Sequence, residues 1–151
     1  MPATLCGHFH LKKQEARMEK LYHGSCHCGA VKIRARIDLQ QGTGRCNCSF
    51  CRKNRYWGAS IKPEDFTLVT GENDLSDYLF NTRAIHHLFC KHCGGHTFLR
   101  GNIPEIGGDF YGIYLACLDD ADEQELANCP VNYADGLHNN WQNPPGETRH
   151  L

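Results

Sequence analysis

Seven of the ten cysteines fall into three tight clusters: Cys26-His27-Cys28, Cys46-Asn47-Cys48-Ser49-Phe50-Cys51 and Cys90-Lys91-His92-Cys93. An odd number of thiols at gaps this short does not make a disulfide framework. It does suit a metal. Tetrahedral zinc bonds sulfur at ~2.3 Å, which sets the sulfurs of one site roughly 3.8 Å apart. C-x-C meets that requirement with two side chains on one face of an extended segment, and C-x-x-C meets it across a tight turn. Seven thiolates divide into four and three. Four ligands close a structural site, whereas three leave one position open, and an open position separates a catalytic metal from a scaffold metal. Redox dithiols or ordinary buried thiols would account for one C-x-x-C, but fit three clusters together less well.

Cys46, Cys48 and Cys51 supply three ligands locally. Cys26/Cys28 and Cys90/Cys93 are each half a site, so they most simply complete one another. The alternative, Cys26/Cys28 with Cys46/Cys48, strands Cys51 and pulls the local trio apart. In the first division a shared metal would close a long loop between Cys28 and Cys90 and remove entropy from the unfolded chain.

A chain of 151 residues is long enough for one domain with a real core. A net charge of −1 argues against a nucleic-acid protein with a broad basic face. No segment approaches the ~18 apolar residues of a membrane span. The first twenty residues lack an apolar run, so no secretory signal is expected. The expected location is therefore cytoplasmic, where cysteines persist as thiols or metal thiolates. Residues 1–19, which include Cys6, are expected to be a frayed or disordered extension, and residues 20–151 a single zinc-binding β domain.

Val31, Ile33, Ala35 and Ile37 alternate with Lys32, Arg34 and Arg36, the period-two pattern of a strand with one wet face. Short strands are also expected over Trp57–Ile61, Phe66–Val69, Asp77–Phe80, Ile85–Phe89 and Thr97–Arg100. A turn is expected over Gln41–Gly44, and a central strand over Asp109–Cys117. Asp119–Leu126 reads as one short acidic helix. Many short strands broken by turn signals predict an all-β fold.

The three clusters with their flanks, Gly24-Ser25-Cys26-His27-Cys28-Gly29-Ala30-Val31, Cys46 to Lys53 and Phe89 to Gly94, resemble the glutathione-dependent formaldehyde-activating enzymes. Centromere protein V shares that domain. The resemblance covers roughly residues 20 to 120 and none of its motifs lie in residues 131–151. It implies an all-β, zinc-stabilised β-tent of short, mostly antiparallel strands. It also implies a structural zinc on Cys26, Cys28, Cys90 and Cys93, and a second zinc on Cys46, Cys48 and Cys51. The implied activity joins glutathione to formaldehyde as S-hydroxymethylglutathione, and is classed among carbon–sulfur lyases.

A zinc on three thiolates suits deprotonation of a fourth thiol, since a coordinated thiol loses its proton outright. Glutathione, a small-molecule thiol, is the expected partner. Its carboxylates match the cations around the trio, Arg45, Arg52, Lys53 and Arg55, of which Arg52 is the first choice. Trp57 is a candidate pocket wall. His96 is a candidate proton shuttle or fourth ligand, while His27 and His92, lying between ligands, should point away from the metal. His86, His87 and His138 belong to no constellation. Cys117 reads as a small buried hydrophobe. The rival readings are a zinc-stabilised binding module without catalysis, and a relative of the methionine sulfoxide reductases.

Overall fold

The computed structural model describes residues 18–151. The expectations for residues 1–17 and for Cys6 lie outside the described residues. The fold is mostly β. Strands β1 (Lys20–Ser25), β2 (Lys32–Ile37) and β5 (Phe66–Thr70) form a three-stranded antiparallel sheet in the order β1-β2-β5. The other sheet has seven strands: β3 (Thr43–Cys46), β4 (Gly58–Ile61), β6 (Leu75–Tyr78), β7 (Ile85–Cys90), β8 (Phe98–Ile103), β9 (Gly108–Tyr114) and β10 (Val131–Ala134). Their order is β10-β3-β4-β9-β8-β7-β6, and β10 with β3 is the one parallel pair among them.

The alternation in β2 behaves as its pattern requires: Ile33, Ala35 and Ile37 are buried, while Lys32, Arg34 and Arg36 face water. These side chains meet Ala59, Phe98, Leu99 and Ile113 of the larger sheet in one core between the sheets. Each Ile, Leu or Phe side chain among them contributes roughly 1.5–3 kcal/mol when fully buried. Val31 lies just before β2 and joins a smaller buried cluster with Cys26 and Cys90. The core thus continues up to the first cysteine cluster.

β9 is the central strand of the larger sheet, as expected, but it ends at Tyr114. Leu115–Cys117 then turn as a short 3-10 helix, because the Leu115 amide donates across to the Trp57 carbonyl (2.9 Å) and the chain leaves the sheet. The acidic helix starts later than its composition suggests. α2 runs Glu123–Asn128, with Asp122 and Glu125 forming a capping box. Asp119 and Asp120 are spent on β1 instead, accepting from Ser25 Oγ (2.7 Å) and from the His23 amide (2.9 Å). β6 sits two residues earlier than expected.

Other elements also differ from expectation, β1 and β10 among them. Thr43-Gly44, expected as part of a turn, belongs to β3 because β10 supplies a parallel partner for it. Ser49–Asn54 forms a six-residue helix, α1, in the middle of the second cysteine cluster.

Candidate metal centres and the adjoining cleft

Cys26 follows β1 directly, Cys28 stands in the turn after it, Cys90 ends β7 and Cys93 sits in the next turn. The sulfurs of Cys26 and Cys28 are 3.7 Å apart, and those of Cys28 and Cys90 are 3.6 Å apart. These separations suit four thiolates around one zinc, for which roughly 3.8 Å is expected. All four sulfurs lie within 4.8 Å of one another. The pairing Cys26/Cys28 with Cys90/Cys93 is therefore the one the fold adopts.

Both half-sites are built alike. The chain closes behind Cys26 through Cys26 N to Val31 O (3.0 Å), and behind Cys90 through Cys90 N to Gly95 O (2.9 Å). The Val31 amide points at Cys26 Sγ (3.3 Å). Backbone amides of Cys28 and Gly95 hold the Cys93 thiol down to about 6. Gly94 takes a positive φ of 75°, which lets its amide donate back to Cys90 O at 2.8 Å. His27 is exposed, and His92 pairs with Asp74 (2.7 Å), so both point away from the sulfurs as expected.

The second cluster is assembled on a strand end and a helix start. Cys46 ends β3, Cys48 is the N-cap of α1, and Cys51 lies within the helix. Cys48 Sγ accepts from the Cys51 amide (3.4 Å), and Cys46 Sγ accepts from the Cys48 amide (3.3 Å). The three sulfurs also lie within 4.8 Å of one another. Hydrogen bonds from Cys46 and Cys51 hold the Cys48 thiol down to about 2. Hydrogen bonds with Cys46 and then Cys48 push Cys51 up, and Cys46 is raised chiefly by its bond to Cys48. One thiolate is thus stabilised by two thiols, whereas three thiolates together would need a cation. This donor set fits zinc with one position left for another ligand.

Asn47, between the first two cysteines, is buried and ties the cluster to the far end of the chain. Its Nδ2 donates to Asp135 Oδ1 (2.8 Å), and its Oδ1 accepts from the Leu137 amide (2.9 Å). Gly136 then passes so close that a Cβ there would lie 2.8 Å from Cys46 Sγ.

Among the described residues, two buried side-chain polar atoms lack a hydrogen-bond partner: His87 Nδ1 and Tyr114 Oη. Both residues feel this cluster electrostatically, His87 through Cys48 and Tyr114 through Cys51. Native interiors leave few such atoms unmatched, and they concentrate where a ligand or water completes the site.

A cleft of about 540 Å³ opens beside α1, lined by Ser49, Phe50, Lys53 and Asn54 of the helix, with Tyr78, Phe80, Phe89, Gly94 and His96 opposite. Of the sequence-derived candidates, Lys53 and His96 line it. Arg52 is exposed outside this lining. Arg45 stacks its guanidinium 4.8 Å over the Trp57 ring, and the Trp57 indole donates to Thr43 Oγ1 (2.8 Å). That pair braces β3 and lies outside the cleft lining. Arg55 caps α1 and donates to the His150 carbonyl (2.7 Å).

His96 Nδ1–H donates to the Leu88 carbonyl (3.1 Å), which leaves Nε2 as an acceptor. Burial keeps the ring's pKa below its ordinary value. Cys117 is buried and bonded to Thr97 O, as a small hydrophobe should be, and burial pushes its thiol up to about 12.

Sequence reasoning missed Phe50, Tyr78 and Phe80. The available signal was weak: two aromatics at i and i+2, on one face of an edge strand and its extension.

The arrangement has relatives. A Rhodobacter sphaeroides protein of known crystal structure is 32% identical, superposes with a TM-score of 0.62, and is matched over 99% of its length and 73% of this chain. The sequence pattern of the glutathione-dependent formaldehyde-activating enzymes matches residues 21–132, past the expected limit near residue 120, and so takes in both cysteine clusters and the first two residues of β10. With that match over most of its length and both cysteine clusters assembled, this chain belongs to the glutathione-dependent formaldehyde-activating enzyme family.

Proposed function

We propose that the protein is a zinc-dependent carbon–sulfur lyase of the formaldehyde-activating type, joining glutathione or a related thiol to a small aldehyde and reversing that addition. In this reading Cys26, Cys28, Cys90 and Cys93 hold a structural zinc, and Cys46, Cys48 and Cys51 a second one. The observation that carries the reading is the cleft against α1, the helix that is capped by Cys48 and contains Cys51. A zinc ion held by three thiolates supplies one open position at which a fourth thiol is acidified.

The chain's own residues would do the rest. Lys53, with Arg52 one position before it, offers a cation to a glutathione carboxylate. Adding a thiol to an aldehyde moves one proton from sulfur to the new hydroxyl, with nothing else gained or lost. His96 Nε2 is free to accept that proton and to return it to the oxygen, because Nδ1–H is held by Leu88 O. A depressed pKa keeps the ring neutral near pH 7, the form that can accept.

The test is calorimetry of zinc-loaded protein with glutathione, paired with detection of S-hydroxymethylglutathione formed above the uncatalysed rate. Binding with acceleration is the expected result. Binding without acceleration would make the protein a carrier or sensor. No binding at millimolar glutathione with both metals present would reject the thiol reading in favour of a zinc-stabilised binding module.

A further inference from the structure

Formaldehyde carries a single carbon and glutathione is polar along its length, yet the cleft beside the three-thiol cluster is walled with rings. Phe50 comes from α1, Tyr78 from the edge strand β6, and Phe80 from the turn after it. Their planes are close to parallel. Phe50 and Phe80 are 5.8 Å apart at 21°, Tyr78 and Phe80 are 5.5 Å apart at 23°, and Phe50 and Tyr78 are 6.3 Å apart at 24°. His87 extends the stack underneath, 3.8 Å from Phe50 and 5.2 Å from Phe80.

A stack that served only the core would be covered. Here Tyr78 and Phe80 remain 50% and 37% exposed. Exposed aromatics grouped on one concave face mark a binding surface more often than isolated ones do. Ser49, Lys53 and Asn54 of α1 and His96 across from them supply the polar lining, while Phe50, Tyr78, Phe80 and Phe89 supply the rings.

We propose that this cleft receives the aldehyde-derived part of the thiol adduct, and that this part is aromatic. The preferred substrates would be thiol adducts bearing an aryl group on the carbon attached to sulfur, not the one-carbon adduct of formaldehyde. The inference rests on the thiol reading above and specifies its substrate class. An aryl group is favoured over an alkyl chain because the partly exposed Tyr78 and Phe80 rings, held near-parallel, present a flat apolar surface that a planar group can extend and a flexible chain cannot. Lys53, at the polar side of the same cleft, then meets a carboxylate of the thiol portion.

The experiment uses inert thioethers that keep the glutathione skeleton. Zinc-loaded protein is titrated by calorimetry with glutathione, S-methylglutathione and S-benzylglutathione. The benzyl compound is expected to bind at least tenfold more tightly than the methyl compound, the increment of placing one phenyl ring against an apolar wall. Phe80→Ala and Tyr78→Ala are each expected to reduce that benzyl-to-methyl ratio by about two- to tenfold. Both side chains are partly in water, so neither change empties the core.

A ratio within twofold of one, in protein that binds glutathione, would overturn this inference and leave the thiol reading standing. The same holds for a high ratio that neither substitution moves, since the aryl group would then lie elsewhere. Failure of glutathione itself to bind would reject the underlying reading, and this inference with it.

Discussion

The two cysteine clusters use similar local chemistry, sulfurs gathered by turns and fed by backbone amides, but they sit differently in the fold. The four-thiol cluster joins β1 to β7, with Cys28 and Cys90 62 positions apart, and two of its four cysteines are buried. The three-thiol cluster is contiguous in sequence, and none of its cysteines is fully buried. One offers four thiols, enough to fill a tetrahedral metal's positions, whereas the other offers three and has a cleft beside it. A metal that closes a long loop stabilises the fold, while a metal held within six residues can be lost without unfolding the chain.

That contrast is broken most directly by removing one thiolate from each cluster. Two zinc ions per chain are expected on elemental analysis of protein purified without chelator. Cys90→Ser leaves a buried, incomplete site. It is expected to abolish soluble folding or to lower the melting temperature by more than about 10 °C. Cys48→Ser should leave a folded chain that retains about one zinc ion. Equal thermal losses in the two variants would show that both clusters are structural.

The clusters were legible because metal ligation is a short-range signal. Spacing alone marks out the candidate ligands, and β2 was legible for a similar reason, its alternation being local. The ends of β6 and β9 and the start of α2 were not, because long-range hydrogen bonds decide them. Asp119 and Asp120 look like a helix start until β1 is seen to claim them. β10 could not be read from Val131–Ala134, since a short parallel edge strand depends wholly on its partner, β3. The cations near the trio were legible as a group but not individually. Chain proximity does not reveal that Arg45 folds onto Trp57 while Lys53 turns to the cleft.

Those cations give the next test. Lys53→Ala removes the lysine that lines the cleft and is expected to weaken glutathione binding by about 10- to 150-fold, the range for a charge-assisted contact. Arg52→Ala, outside the lining, should have a smaller effect. The reverse order in calorimetry would move the carboxylate site to the exposed face of α1.

The three-thiol cluster is local in sequence, but its surroundings are not, and Gly136 sharpens the comparison. A Cβ at this position would lie 2.8 Å from Cys46 Sγ and 2.6 Å from the Trp141 ring. Trp141 is exposed and can move, whereas Cys46 is fixed by the Cys48 amide. Gly136→Ala is therefore expected to cost about 1–2 kcal/mol, as overpacking does, and to weaken zinc retention at this cluster alone. Competition with a graded chelator should show the weaker zinc released sooner and the tighter one unchanged. If both are released together, the C-terminal segment supports the whole fold and not this site.

The smallest effect expected is in pH dependence, and it separates the cleft from the thiols. Burial lowers the pKa of His96 in the folded protein below its unfolded value of about 6.5. Above that value both states are neutral, and stability from this group is fully present. As the pH falls below it, the unfolded state takes up a proton that the folded state resists, so stability is lost. One such group contributes a slope of at most about 1.4 kcal/mol per pH unit, confined to the interval between the folded and unfolded values. Protonation of the zinc ligands destabilises in the same direction, so wild-type melting curves alone cannot apportion the loss. His96→Gln can: its amide can still donate to Leu88 O, but it does not titrate. The variant should therefore show a shallower fall in stability between pH 6.5 and 5 than the wild type, with the thiol contribution unchanged. Parallel curves would mean that His96 is protonated as readily in the folded protein as in the unfolded chain, and would remove the basis for its neutral, proton-accepting role in the cleft.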